Sequence, residues 1–275
     1  MGKKVIFPCH NCGSKLTKWL LINLSYIYIG LIIILPSINV FLKSFSNGIQ
    51  PFVKDLCNPN FLHALKLTII ISIVVVPLNL IFGISMAQIL HRYQFRGKLV
   101  ILSILDLPFS ISPIVTGLMI TLLYSKNGIA GKLSFFKGAQ ILFALPGMIL
   151  ATAFITLPFI VREVVPLLEE IEVAQEEAAK TMGANGYEVF WRVTLPHIKW
   201  GLLYGLILTN ARAMGEFGAV SIISGNILGK TQTLTLFIEQ AHKDYQIQSA
   251  FSAALFLFML ASITILFKEI LLEST

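Results

Sequence analysis

Long apolar runs alternate with short polar islands along almost the whole chain. The runs cover residues 19–42, 65–90, 99–123, 141–161 and 251–272. Each is as long as a membrane-crossing helix requires, roughly 17–25 mostly apolar residues. A sixth run, 200–223, is interrupted by Asn210, Arg212 and Glu216. The pattern predicts an all-α integral membrane protein with six transmembrane helices. It places a tail over 1–18 and a single membrane domain over 19–272, with no stretch long enough for a separate globular domain.

Two spans carry irregularities. The third contains Asp106-Leu107-Pro108-Phe109-Ser110-Ile111-Ser112-Pro113, and two prolines so close together predict a bend or break. Carbonyls freed there can be satisfied by Ser110, Ser112, water or a neighbouring helix. Asp106 can cap the broken helix or pair with a basic neighbour. The fifth span brings Arg212 and Glu216 to mid-helix among Gly215, Phe217 and Gly218. A charged side chain at the bilayer centre costs roughly 2.5–3.5 kcal/mol on insertion scales. At i and i+4 the two charges can share a helix face and partly cancel. One reading makes the pair and its glycines glue between packed helices. The other, adopted here for Arg212, Gly215, Glu216, Phe217 and Gly218, makes them the lining or gate of a translocation path.

Composition fits a membrane protein: 56 % of residues are hydrophobic and 13 % charged, with a mean hydropathy of +0.80, whereas soluble domains are about one quarter charged. The net charge of +7 reads as topology. Lys3, Lys4, Lys15, Lys18, Arg92, Arg96, Lys98, Arg162, Lys180, Arg192, Lys199 and Lys268 fall in segments on one side. The other side holds only Lys43, Lys54, Lys126, Lys132, Lys137, Lys230 and Lys243. The richer side is cytoplasmic, so both termini lie inside. Basic residues scattered over lipid-flanking loops argue against a nucleic-acid partner.

Two motifs are decoys. Cys9-His10-Asn11-Cys12 has redox or half-zinc spacing but lacks a second ligand pair, and Cys57 falls on the opposite side, so no metal is assigned. The stretch 224–231, Ser-Gly-Asn-Ile-Leu-Gly-Lys-Thr, nearly spells a phosphate-binding loop, but Ser224 replaces the first glycine and no strand precedes it. The basic N-terminus leads into an apolar run without a small-residue cleavage site, which predicts an uncleaved first helix.

The remaining polar island lies on the cytoplasmic side. Residues 171–182 favour helix, being rich in Ala, Glu, Gln, Lys and Met without Gly or Pro. Gly183-Ala184-Asn185-Gly186 predicts a stop. A second short helix over 187–194 follows, with Pro196 near the start of the next. The product is a rigid helix–turn–helix exposed to water.

Glu177-Ala178-Ala179, then Gly183, then Val193-Thr194-Leu195-Pro196 resembles the EAA loop of ATP-binding cassette (ABC) importer permeases, here about 163–198. Phe-Arg-Gly-Lys at 95–98, Asp-Leu-Pro-Phe-Ser at 106–110, Ala-Arg-Ala-Met-Gly-Glu-Phe-Gly-Ala-Val at 211–220 and the 224–231 stretch narrow the resemblance to the molybdate/sulfate branch. Within that branch the chain is most similar to CysW-type sulfate (thiosulfate) permeases. The resemblance implies a type I importer fold (MetI-like) and transport by alternating access. It also implies a partner ATPase dimer docked on Glu177, Ala178, Ala179, Gly183, Ala184, Asn185 and Gly186. A second, CysT-type permease, an extracytoplasmic sulfate-binding protein and membrane lipids complete the implied partners. ATP and magnesium would sit on the ATPase, with no cofactor on this chain, in a bacterial inner membrane or a plastid-type one. A molybdate or tungstate permease stays open within the class. An ion-coupled secondary transporter using Asp106, Arg212 and Glu216 stays open outside it, as does a redox enzyme using Cys9 and Cys12.

Overall fold

The computed structural model describes residues 15–125, 128–132, 141–171 and 173–273; Cys9, Cys12 and most of the tail lie outside them. Four helices are long and apolar enough to cross a membrane: α1 (Lys18–Ser44), α3 (Pro59–Arg92), α6 (Leu145–Glu170) and α11 (Ile247–Glu273). Two bent pairs bring the spans to six when each pair counts as one. Helices α4 (Lys98–Ser110) and α5 (Pro113–Tyr124) meet at 112°, and α8 (Gly186–Met214) and α9 (Gly218–Ser224) at 50°. Short helices α2 (Ile49–Leu56), α7 (Val173–Thr181) and α10 (Leu234–Lys243) lie between spans.

The prolines act in three distinct ways. Pro113 breaks the third span. Ile111 and Ser112 before it are extended, with ψ of 135° and 136°, as crowding by the proline ring favours. The ring then starts α5 where no N–H is needed. Pro77, Pro158 and Pro166 are carried inside continuous helices. Pro36 and Pro196 each follow a leucine that closes a single π turn, over Gly30–Ile34 and Phe190–Thr194. In both, the leucine N–H bonds the carbonyl five residues back, Leu35 to Gly30 and Leu195 to Phe190. The wider turn makes room for the ring, which would clash in an unmodified helix. The separate short helix expected over 187–194 is therefore the first part of α8, which runs unbroken through Pro196 into the fifth span.

Helices α3, α6 and α8 form the centre of the domain around Ala87, Ile160, Val164, Leu168 and Ile198. A Cβ at Gly83 would lie 2.6 Å from the Ile160 side chain, so glycine sets the α3–α6 distance. Asn79, fully buried, fastens the same two helices by donating to the Ala153 carbonyl (3.2 Å) and Thr156 Oγ1 (2.7 Å). The two broken spans stack on one another. A Cβ at Gly218 would come within 2.7 Å of Pro113, and Gly117 faces Ala219 equally closely. Small residues at a helix contact let backbones approach. In contrast, the most apolar stretch of α1 has no buried residue in this single chain. Its end is held by Ser44 Oγ donating to the Phe251 carbonyl (2.8 Å).

Candidate functional site

The polar island forms a foot below α3, α6 and α8. Its turn satisfies both helix ends locally. The Gly183 N–H bonds the Lys180 carbonyl and the Ala184 N–H bonds the Ala179 carbonyl, the paired bonds of a Schellman stop. Gly183 has φ of +91° with nothing within 4 Å of where a Cβ would sit. Backbone conformation, not space, selects glycine there. Asn185 then opens α8. Its side chain accepts the Glu188 N–H while Glu188 accepts the Asn185 N–H, both at 2.9 Å, a complete capping box. Gly186 thus begins a helix and does not belong to the stop.

Glu177 and Ala178 are exposed and Ala179 is half-buried. Ala179, Gly183 and Ala184, with Met182, Glu188 and Arg192, line a cavity of about 410 Å³. Met182 (88 % exposed), Tyr187 and Trp191 leave apolar surface around it. The membrane helices extend into this foot: α6 reaches Glu170 and α8 begins at Gly186, so of the expected 163–198 loop only 171–185 lies between spans.

The sequence reading missed Glu176. Its carboxylate meets Arg92 Nη2 at 3.0 and 3.1 Å and accepts the Thr194 hydroxyl at 3.0 Å. One residue therefore ties the foot to the end of α3 and to the π turn of α8, where Thr194 is fully buried. Adjacent acids on a helix point about 100° apart, so one of Glu176 and Glu177 could face inward. Nothing in the chain says which.

In the fifth span, Arg212 is in the last turn of α8 while Glu216 lies beyond it, in the break 215–217. The pair spans the joint, and the shared helix face expected for it is absent. Arg212 Nη1 is 2.9 Å from Glu216 Oε2. Glu216 Oε1 accepts the Ala219 N–H (3.0 Å) at the start of α9, and its carbonyl accepts the Thr235 hydroxyl (2.9 Å). Glu216 is 2 % exposed. Gly215 ends α8, exposed Phe217 precedes α9, and Gly218 packs on Pro113.

A second ion pair joins the third and fourth spans. Arg162 Nη2 and Nε donate to Asp106 Oδ1 at 2.7 and 3.1 Å. The guanidinium also lies 4.2 Å from the centre of the Phe109 ring, which Phe159 meets edge-on. The charge pattern places Arg162 in a cytoplasmic segment; in the structure it lies within α6, which continues two turns past it.

In the near-P-loop, the Thr231 hydroxyl donates to the Ser224 carbonyl and accepts the Ile227 N–H, closing the loop on itself after a helix. Among the described residues no cluster of three or more His, Cys, Asp or Glu could hold a metal. At the end opposite the foot, burial raises the Asp55 carboxyl above the usual carboxylate range, with Lys54 opposing.

Bent membrane spans carried on a short helical foot define a polytopic membrane protein. The chain belongs to the family of binding-protein-dependent transport system inner membrane components, whose model matches residues 79–272. It is thus a multi-pass permease of an ABC transporter, in which ATP hydrolysis belongs to a separate chain. It is 54 % identical to the sulfate transport system permease protein CysW of Synechocystis sp., over 94 % of both chains. It is also 54 % identical to sulfate permease 2, chloroplastic, of Chlamydomonas reinhardtii, over 94 % of this chain and 70 % of that one. Identity to the CysT permease of Escherichia coli is 34 %, over 91 % and 90 %. The fold matches a chain of a bacterial ABC transporter involved in alginate import, with a TM-score of 0.79 at 18 % identity, over 92 % and 95 % of the two chains.

Proposed function

We propose that this chain is the W-type permease of a sulfate or thiosulfate importer, paired with a T-type permease, an ATPase dimer carrying ATP and magnesium, and an extracytoplasmic binding protein. The 54 % identity to a sulfate permease across nearly the whole chain carries the reading. The gap to the T-type relative supports the W-type assignment.

Closure of the ATPase dimer pushes on Glu177, Ala178, Ala179 and the 183–186 turn. Alanines there permit close docking, and the Schellman stop and capping box keep the turn stiff. Because α8 is continuous from Gly186 to Met214, displacement of the foot reaches the joint at Gly215, Glu216 and Phe217 without an intervening loop. There α9 swings against α5 at Gly218 and Pro113, and the path opens to one side or the other.

Reconstitution of both permeases, the ATPase and the binding protein in vesicles tests this. ATP-dependent uptake of radiolabelled sulfate, competed by thiosulfate more strongly than by molybdate, is expected. Uptake of molybdate alone by a complex with two copies of this chain would sink the reading. Gly183→Asp is expected to insert and fold, since the space is open and a non-glycine residue there costs about 1–2 kcal/mol. ATP hydrolysis should continue while uptake is lost; unchanged uptake would remove the lever role.

A further inference from the structure

The Asp106–Arg162 pair is half-exposed on both sides, at 51 and 53 %. Asp106 is eight residues from the start of α4 at Lys98, and Arg162 eight from the end of α6 at Glu170. Both are therefore about 12 Å in from the foot end of their helices. A charge pair left half-exposed within membrane-spanning helices faces water or another protein, not lipid. Ser110 and Ser112, both exposed, flank the extended Ile111, and irregular backbone inside a membrane survives only where protein covers it or a water-filled cavity meets it. Ser110 lies one turn beyond Asp106 on the same face of α4. Exposed Ser110 and the half-exposed ion pair thus share one face of α4.

Arg162 is held but not used up. Both of its bonds to Asp106 fall on a single oxygen, Oδ1, and among the described residues Nη1 donates to nothing. Phe109 covers one face of the guanidinium and fixes its plane. Beside the pair is a cavity of about 220 Å³, walled by Leu102, Leu105, Pro158 and Val165. It offers an incoming anion little besides this one cation.

We propose that Arg162 is a transit subsite for the cargo oxyanion at the inner mouth of the path, and that Asp106 keeps that site weak. The subsite rests on the sulfate reading above. A guanidinium presents N–H groups in a plane that suits a tetrahedral oxyanion. Left alone it would retain the anion. With Asp106 beside it the local charge is neutral, so the anion is met by directed hydrogen bonds and released by repulsion from the carboxylate.

The reconstituted complex tests this with radiolabelled sulfate, and sulfate uptake by the unmodified complex checks the cargo reading alone. A charge-assisted hydrogen bond is worth about 1.5–3 kcal/mol, so Arg162→Gln should lower the maximal uptake rate by about 10–100-fold. The half-saturating concentration of loaded binding protein should hold. Arg162→Lys, which keeps the charge but not the fork, should fall between. Asp106→Asn should act in the opposite sense on release: sulfate on the cytoplasmic face should inhibit at about tenfold lower concentration. The subsite is overturned if Arg162→Gln takes up sulfate at the unmodified rate, or if Asp106→Asn leaves inhibition by cytoplasmic sulfate unaltered. It is also overturned if Asp106→Asn, Arg162→Gln and Arg162→Lys all merely lose assembly, which a structural rivet would do. If the unmodified complex carries another cargo and no sulfate, the cargo reading fails and takes the subsite with it.

Discussion

Arg212–Glu216 and Asp106–Arg162 join the same kinds of charge at similar distances, 2.9 and 2.7 Å, yet their surroundings differ. Glu216 is almost fully buried and its second oxygen is committed to the first turn of α9. Asp106 spends one oxygen on Arg162 and leaves the other exposed. Removing water from the first pair makes it part of the joint between α8 and α9, because a buried carboxylate must keep every partner. The second pair is half-exposed on both sides, and an ion pair left that open contributes little to stability. The same chemistry thus serves as construction in one span and is left half-exposed in another. In the Arg92–Glu176–Thr194 clasp the acid falls between, at 12 % exposed against 1 % for Glu216 and 51 % for Asp106.

This contrast can be broken most directly at Glu216. Glu216→Ala leaves Arg212 unpaired and α9 uncapped. The expected loss is about 3 kcal/mol, the lower end for a broken buried pair because Arg212 is a third exposed; a lowered thermal midpoint in detergent reads it. A midpoint within error of the unmodified protein would remove the distinction between the pairs. Glu176→Gln should come next, at about 1–2 kcal/mol, as the charge-assisted bonds to Arg92 weaken. Glu177→Gln on the same helix should leave the free permease's midpoint unaltered. Equal effects from the two neighbours would show that the clasp does not hold the foot. The smallest effect belongs to Asp106→Asn, at most about 1 kcal/mol in the same assay. A larger loss would place this pair with the buried one.

What could be read along the chain was whatever depends on near neighbours. The six apolar runs, the break at Pro113 and the stop at Gly183 follow from composition and from the conformations that proline and glycine impose on adjacent residues. The prolines also misled. Pro196 reads as a helix start, but the π turn before it carries α8 through, because packing of α8 against α6 favours a continuous helix. The EAA spacing marked the foot but could not separate Glu176, turned inward, from Glu177, turned out.

The sequence by itself determined the membrane class, the number of spans, the location of the foot and the residues able to carry charge into the membrane. Hydrophobic length and backbone stereochemistry act over a few residues, so they are written locally. The i, i+4 spacing already brought Arg212 to Glu216, but only the tertiary structure decided which distant charges meet. Arg92 finds Glu176 across 84 residues and Arg162 finds Asp106 across 56. It also decided how deeply each pair is buried, because glycines at the helix contacts fix how closely the spans approach. That burial separates a carboxylate serving as a joint from one left half-exposed.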